Sequence, residues 1–192
     1  MIAMVIDSLK AAGLKEFQVE LGQVAFYRSL LEEAGLNGDV EEELNQLIEN
    51  KNDFGVEELL KNQGIDPGLK QVFLKLPELF GSLEQIMEAK KLTANPCALA
   101  AIERLEQVHH ILESYGLAGY VTYDLGMLSK YHYYTGIIFK AYTYGTGDYI
   151  VTGGRYDKLL VQFGKDTPAV GFVIVVDQLM AALSRQQIDT PV

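Results

Sequence analysis

Apolar residues change their spacing twice within the first 35 positions of the chain. The first set recurs every three or four residues and predicts a helix over about 2–12 that ends near Gly13: Ile2, Val5, Ile6 and Leu9. Over 17–21 apolar and polar residues alternate, which is the period of a strand with one buried face. Helical spacing returns over 24–34 and stops at Gly35. The chain is therefore predicted to open as helix, strand, helix.

The stretch 39–95 differs in composition, being acidic at first and then rich in leucine and turn residues. Because it lacks the alternation of β-branched residues that marks strands, it is predicted to be a small all-helical insertion. Pro77 suits the first turn of one of its helices, whose apolar face would be Leu79, Phe80, Leu83 and Met87. A long amphipathic helix should follow Pro96 and end at Gly116. Its buried side would be Ile102, Leu105, Val108 or His109, and Leu112.

Beyond Gly119 the chain becomes rich in Tyr, Thr, Val and Ile, the residues that favour strands. Strands are predicted over 120–128, 136–144 and 148–152. The glycines of 145–147 suit a hairpin between the second and third of these strands. The continuous apolar run over 169–176 is typical of a buried strand, and 177–184 is predicted to close the chain as a helix.

Hairpin-linked strands with helices supplied from elsewhere indicate an α+β fold with an antiparallel sheet flanked by helices. The main domain would consist of 1–38 and 96–192, with 39–95 inserted into it. A chain of 192 residues, 48% of them hydrophobic, is long enough for such a domain and a smaller appended one. Because it opens directly on an amphipathic helix, we expect a larger domain to have been cut at this point.

Neither a membrane span nor a signal peptide is predicted. No segment approaches the roughly 18 consecutive apolar residues of a membrane helix, and the first residues lack the basic and apolar zones of a secretory signal. A single cysteine, Cys97, excludes an internal disulfide and any cysteine-based metal cluster. We expect a cytoplasmic protein that does not bind membranes, with Cys97 filling a position at the start of a helix without a chemical role.

The net charge of −10 argues against nucleic-acid binding, since affinity for phosphates comes from lysines and arginines. The acidic residues concentrate between Glu32 and Glu58, where ten carboxylates accompany only Lys51. A well-solvated helical face is the alternative interpretation of this stretch.

The block 129–136 carries the first candidate chemistry. Neighbouring tyrosines in a strand point to opposite faces, so Tyr133 and Tyr134 are not expected to lie in the core together. One of them should project into the cavity that the sheet lines, where a phenol would suit a small polar ring such as imidazole. The alternative is an aromatic ladder on the sheet surface.

Two further blocks place glycines within strands. Gly153 and Gly154 are adjacent, and Gly171 lies inside the buried strand; without a Cβ, each lets a ligand or another backbone come close. The spacing fits neither a dinucleotide fingerprint nor a phosphate loop. Arg155 and Asp157 could instead form an ion pair that holds the turn.

Neither a metal site nor a catalytic triad is predicted. His109 and His110 are adjacent on a helix and lack the i, i+4 spacing of a helical zinc site, and His132 has no acidic or histidine neighbour at ligand spacing. No Ser-His-Asp or paired-carboxylate arrangement can be identified from spacing, and Cys97 has no recognisable histidine partner.

Taken in order, these blocks resemble the C-terminal half of the catalytic core of histidyl-tRNA synthetase, a class II aminoacyl-tRNA synthetase. Residues 133–136 resemble the end of the family's histidine-binding signature, R-G-L-D-Y-Y-T-G, and 153–157 resemble its G-G-R-Y-D turn. Residues 168–179 resemble its third motif, and 17–24 the strand that follows its first helix. The resemblance covers essentially the whole chain, and it implies the class II synthetase fold.

Departures from that pattern imply that adenylation is lost. Where the synthetase signature has its arginine and its aspartate, this chain has Ser129 and His132. Where the third motif has its phosphate-binding arginine, this chain has Gln178, and Val175 replaces a glycine. Fixed donors to transition-state charge are worth roughly 3–4 kcal/mol each. Losing two arginines should therefore cost several orders of magnitude in rate.

A chain that keeps the tyrosines and glycines but loses the phosphate-binding arginines resembles the regulatory subunit of ATP phosphoribosyltransferase, a synthetase-like paralogue. That family typically reads S-K-Y-x-Y-Y-T-G, then F-K-A-Y-x-Y-G-x-G, then G-G-R-Y-D. The chain matches these patterns at 129–136, 139–147 and 153–157.

The resemblance implies a non-catalytic subunit for the first step of histidine biosynthesis, without a cofactor. It would activate the short-form catalytic subunit, sense L-histidine for feedback inhibition, and form a homodimer within a hetero-oligomer. The implied histidine-binding residues are Tyr133, Tyr134, Gly153, Gly154 and Gly171. The family also implies more chain before residue 1, with the main dimer interface and part of the histidine site. The alternatives are a divergent histidyl-tRNA synthetase fragment and an isolated histidine-binding protein.

Overall fold

The computed structural model describes residues 1–128 and 133–188. Its helices are α1 (Ile2–Ala11), α2 (Val24–Ala34), α3 (Asp39–Glu49), α4 (Asp53–Asn62), α5 (Pro67–Lys75), α6 (Leu83–Met87), α7 (Pro96–Ser114) and α8 (Val176–Arg185). Its strands are β1 (Phe17–Gln23), β2 (Phe80–Gly81), β3 (Val121–Asp124), β4 (Ile137–Thr143), β5 (Val151–Arg155) and β6 (Val170–Ile174). Short 3₁₀ helices cover Leu76–Glu78, Glu88–Lys91, Ala118–Tyr120 and Leu159–Phe163. The predicted α+β class is confirmed.

The opening helix, strand and helix are confirmed by α1, β1 and α2. Burial alternates along the first half of β1, as the period-two pattern requires. Gly35 ends α2 in the left-handed conformation with φ +66°. The N–H groups of Gly35 and Leu36 donate to the carbonyls of Glu32 and Leu31 in the last turn. Because glycine has no Cβ, that conformation is available here at little cost.

The insertion is mostly helical, but the prediction that it is all-helical was wrong. Pro77 lies in a 3₁₀ turn instead of opening a helix, and Phe80 and Gly81 form β2. Phe80 pairs with Asp124 of β3, and its side chain is 46% exposed instead of buried. Helical spacing does not reveal this strand, because two residues are too few to show a period and their pairing partner lies over 40 positions away.

The sheet has the strand order β2-β3-β1-β4-β5-β6. The β4-β5 and β5-β6 pairs are antiparallel. The segment 144–150 connects β4 to β5 and contains the predicted turn at 145–147, but β5 covers Val151–Arg155 and not the predicted 148–152. The prediction that 169–176 is a buried strand was wrong, since β6 is the last strand in the order. Val170 and Val173 are 48% and 61% exposed.

The chain divides into two compact units. The first comprises 1–21, 108–122 and 131–192, and it contains α1, β4, β5, β6 and α8. The second comprises 22–107 and 123–130, with α2 to α6. The sequence-based division at 38 and 95 follows composition and stays a prediction.

The second unit is organised around apolar side chains of its helices. The fully or almost fully buried ones include Phe26, Leu30, Leu44, Val56, Leu60, Phe73 and Ile86. The long helix predicted after Pro96 is confirmed as α7, and three of its predicted buried residues, Ile102, Leu105 and Leu112, are buried. Among the described residues, the structure contains no helix with the length and apolar composition needed to cross a bilayer.

Candidate functional site

Two glycines lie side by side on neighbouring strands, so one face of the sheet carries no side chain at either position. Gly154 of β5 pairs directly with Gly171 of β6, and on its other side with Ile138 of β4. Residues directly opposite each other in antiparallel strands share a face. The backbone is therefore bare over Gly154 and Gly171 on the face that Ile138 also shares.

Tyrosine side chains occupy the space above these two glycines. A Cβ added at Gly154 would lie 2.6 Å from Cε1 of Tyr134, and one added at Gly171 would lie 2.5 Å from the hydroxyl oxygen of Tyr156. Such distances are too short for real carbon contacts. The ring of Tyr134 therefore occupies the space that a side chain at Gly154 would need, whereas at Gly171 only the terminal hydroxyl of Tyr156 would have to shift. The close approach predicted at Gly154 and Gly171 exists, although the approaching groups are tyrosines of the same chain.

Three rings form one cluster above the glycines. The centroids of Tyr133 and Tyr134 are 4.6 Å apart, and Tyr156 meets them edge-on at 5.8 and 6.1 Å. Rings at these separations and angles attract one another beyond the area that they bury. We call Tyr133, Tyr134 and Tyr156, together with Gly154 and Gly171, the tyrosine–glycine site.

The premise that Tyr133 and Tyr134 point to opposite faces was wrong. They precede β4, which begins at Ile137, so strand alternation does not govern them. The two rings are in contact, with Tyr134 8% exposed and Tyr133 half-buried. As predicted, only one of the pair is a core residue.

Backbone hydrogen bonds hold the segments that carry these rings. The N–H of Thr135 donates to the carbonyl of Arg155 at 2.8 Å, and the N–H of Asp157 donates to Oγ1 of Thr135 at 3.0 Å. The N–H of Tyr156 donates to the carbonyl of Ala169 at 2.9 Å. Both tyrosine-bearing segments are therefore tied to the ends of β5 and β6.

The charged groups next to the site neutralise each other. Nε of Arg155 donates to both carboxylate oxygens of Asp157, at 3.0 and 2.8 Å. This is the ion pair that the sequence left open as the alternative role of these residues. Gly136 leaves room for the stem of the arginine, since a Cβ there would lie 3.3 Å from Cδ of Arg155.

Gly153 lies on the other face of the sheet. A Cβ there would lie 2.5 Å from both the Phe139 ring and the Gly171 carbonyl oxygen, and 2.7 Å from Cβ of Phe172. The structure thus brings together Tyr133, Tyr134, Gly154 and Gly171 but not Gly153, whose role in ligand binding stays a prediction. Tyr156 joins the site although sequence reasoning did not select it; its position two residues after Gly154 was the available signal.

Other candidates from the sequence lie elsewhere. Ser129 and His132 are outside the described residues. Gln178 is half-buried in the first turn of α8, and Cys97 is exposed at the second position of α7. The ring nitrogens of His109 and His110 lie 3.5 and 2.9 Å from the carboxylate of Glu113.

Within 1–128 and 133–188 no three histidine, cysteine or acidic side chains are grouped to hold a metal ion. The described side chains of the tyrosine–glycine site are uncharged phenol rings, whose hydroxyls can both donate and accept a hydrogen bond. Such a surface suits a small planar polar ring better than a polyphosphate.

Known proteins resemble this chain over almost its whole length. The family model of histidyl-tRNA synthetase matches residues 1–179. The ATP phosphoribosyltransferase regulatory subunits of Acetivibrio thermocellus and Ruminiclostridium cellulolyticum are 43% and 46% identical over 98% and 96% of this chain, which covers 45% and 44% of their lengths.

A crystal structure described as an ATP phosphoribosyltransferase regulatory subunit/histidyl-tRNA synthetase, from Bacillus halodurans, superimposes with a TM-score of 0.84. It is 33% identical, and the match covers 94% of this chain and 48% of that one. The chain thus spans about half the length of the curated relatives that it matches.

Proposed function

This chain belongs to the histidyl-tRNA synthetase family, and from that premise we propose that it is part of a regulatory subunit of ATP phosphoribosyltransferase. In this role it is not an enzyme. It binds L-histidine at the tyrosine–glycine site and associates with the short-form catalytic subunit, which it activates. Histidine inhibits the assembly by favouring one of its states, an allosteric coupling of about 1–3 kcal/mol in typical cases.

The observation that carries the proposal is the neutral character of the tyrosine–glycine site. A synthetase has to bind the phosphates of ATP beside its amino acid, and cationic side chains do this work. Here Nε of Arg155 is paired with the carboxylate of Asp157, and the third-motif position carries the uncharged Gln178. The phenols that remain suit the imidazole ring of histidine, which is planar and has one donor and one acceptor nitrogen.

The relatives support the same assignment. Regulatory subunits of ATP phosphoribosyltransferase are 43% and 46% identical to this chain over almost its whole length. The match extends through the tyrosine and glycine segments, and it supports the same role for this chain.

The experiment uses the complete protein together with the catalytic subunit of the same organism. Formation of phosphoribosyl-ATP is measured with and without this protein, and with increasing L-histidine. We expect activity to require the protein and to fall as histidine is added. Activity that is indifferent to the protein would overturn the proposal.

The histidine site is tested separately by calorimetric titration of L-histidine. We expect Tyr134→Phe to weaken binding by about tenfold, the usual effect of losing one hydrogen bond to a ligand. Tyr144→Phe is the matched control, because Tyr144 is 77% exposed and lies outside the site. Equal affinities in both variants would show that histidine binds elsewhere.

A divergent histidyl-tRNA synthetase is the second candidate, favoured by the family model itself. Its diagnostic reaction is histidine-dependent exchange of pyrophosphate into ATP. Clear exchange by the complete protein would identify it as a synthetase, whereas the regulatory proposal predicts none.

A further inference from the structure

A lysine lies on the same face of the sheet as the tyrosine–glycine site. Lys140 of β4 pairs with Thr152 of β5, two residues along from the pair that Ile138 forms with Gly154. Because residues two apart on a strand point to the same face, Lys140 shares the face of Gly154. Lys140 is half-buried.

Lys140 forms no ion pair with a carboxylate of the described residues. The cationic residues of β4, β5 and β6 are Lys140 and Arg155, and Nε of Arg155 donates to the carboxylate of Asp157 at 2.8 Å. In the described part of the chain, the lysines that have a carboxylate partner are Lys70, Lys75, Lys90, Lys91 and Lys158. A half-buried cation has lost part of its hydration, so it attracts an incoming anion more strongly than an exposed lysine does.

The ammonium of Lys140 lies against an aromatic ring. Its Nζ is 5.5 Å from the centroid of Tyr149, within the range of a cation–π contact. A β-bulge brings Tyr149 to this face. Ala141 pairs with Val151 but also accepts a hydrogen bond from the N–H of Ile150 at 2.8 Å. Both bulge residues are fully buried on the opposite face, so the alternation resumes with Tyr149 on the face of Lys140.

An uncharged aromatic surface beside a single ammonium has the chemistry to bind a planar polar ring that carries one carboxylate. The phenols can form hydrogen bonds to the nitrogens of an imidazole, and the ammonium can form a charge-assisted hydrogen bond to the carboxylate. Two residues of a strand span about 7 Å, which is within the combined reach of a lysine side chain and an amino acid. A polyphosphate carries several negative charges and would need more than one cation.

We propose that Lys140 binds the α-carboxylate of the amino acid whose ring lies on the tyrosine–glycine site, with the ring of Tyr149 orienting its ammonium. This inference rests on the proposed function, which supplies L-histidine as the ligand. It adds a residue that selects imidazole compounds with a carboxylate over those without one.

The test is calorimetric titration of the complete protein with L-histidine and with L-histidinol, in which an alcohol replaces the carboxylate. We expect Lys140→Met to weaken histidine binding at least about tenfold, because a hydrogen bond between two charged groups is lost. Binding of histidinol should not weaken, since histidinol has no carboxylate for Lys140 to bind. Lys140→Arg keeps the positive charge and should retain most of the affinity for histidine.

Lys61→Met is the matched control, because Lys61 is an exposed lysine in the last turn of α4. It should leave both affinities unchanged. Tyr149→Leu should weaken histidine binding about two- to fivefold, since the ring that orients the ammonium is lost. Tyr149→Phe keeps the ring and should bind histidine as the unaltered protein does. Circular dichroism verifies that each variant folds.

The outcomes separate the inference from the function on which it rests. If the unaltered protein does not bind histidine, the histidine-sensing part of the proposed function fails, and the inference fails with it. If the unaltered protein binds histidine but Lys140→Met binds it equally well, or loses histidine and histidinol to the same extent, only the inference is overturned. Displacement of histidine by an equimolar amount of inorganic pyrophosphate would assign Lys140 to phosphate groups and would also overturn the inference.

Discussion

An alanine at Gly154 would place a methyl group where the ring of Tyr134 now lies. The new Cβ would be 2.6 and 2.7 Å from two ring carbons and 3.0 Å from the carbonyl oxygen of Ile137. The optimum for carbon–carbon contact is about 3.5–4.0 Å. The ring must therefore move by about 1 Å, which also disturbs its contacts with Tyr133 and Tyr156.

The expected cost follows from two opposing effects. Overpacking of a well-packed site usually destabilises a protein by about 1–3 kcal/mol. Replacing glycine by alanine restricts the unfolded chain and returns about 0.4–1 kcal/mol. The free energy of unfolding should therefore fall by about 1–2 kcal/mol, as measured by urea denaturation of the complete protein.

Gly147→Ala is the matched control, because a Cβ at Gly147 would meet no atom within 4 Å. Its effect should stay within about 0.5 kcal/mol. A double-mutant cycle with Tyr134→Ala isolates the effect of the clash. In the Tyr134→Ala background, Gly154→Ala should lower the free energy of unfolding by about 1 kcal/mol less than in the unaltered protein. The reasoning is refuted if Gly154→Ala lowers the free energy of unfolding equally with and without the Tyr134 ring, or no more than Gly147→Ala does. Gly154 would then not be needed to make room for Tyr134.

Four further outcomes are expected. Gly153→Ala should lower the free energy of unfolding in urea more than Gly154→Ala does. The new Cβ would lie 2.5 Å from the backbone carbonyl oxygen of Gly171, which cannot move away as readily as a side chain. Tyr27→Phe should lower the free energy of unfolding by about 1 kcal/mol, because the buried Tyr27 hydroxyl donates to Oδ1 of Asn45 at 2.7 Å. Burial raises the pKa of Tyr27, and in alkaline titration of the folded protein its phenol should ionise above the ordinary tyrosine value of 10.0. The hydrogen bond from His110 lowers the pKa of the Glu113 carboxyl from its ordinary 4.5. The stability that this contact contributes is present above pH 4.5 and is lost as the pH falls through the lowered pKa. In acid denaturation, the difference in free energy of unfolding between the unaltered protein and Glu113→Gln should therefore disappear below that pKa. A difference that stays constant at all pH values would contradict the assignment.

Local sequence patterns predicted most of the helices and strands correctly. The opening helix, strand and helix, the long α7 and the closing α8 each carry a period or a capping glycine within a few turns. Such signals need only neighbours along the chain, since they state which face of an element is buried. The motif resemblance likewise came from contiguous residues, and the family model confirmed it.

The pattern within one segment did not predict burial or strand pairing correctly where these depend on distant parts of the chain. The apolar run at 169–176 predicted a buried strand, but Val173 of β6, the last strand in the order, is exposed. The two-residue strand at Phe80 depends on β3, far along the chain. In both cases the hydrophobicity of a segment does not determine which other segments of the chain will pair with it or cover it.

The tyrosine–glycine site divides in the same way. The sequence by itself determined that glycines and tyrosines of this region belong together and that Gly154 and Gly171 admit a close neighbour. Only the tertiary structure decided that this neighbour is a tyrosine of the same chain, that Gly153 faces Phe139 on the opposite side, and that Tyr156 completes the cluster. The physical reason is the register of the strands. The pairing of β4, β5 and β6 determines which residues lie opposite each other and which face each side chain occupies, and it depends on all three strands together.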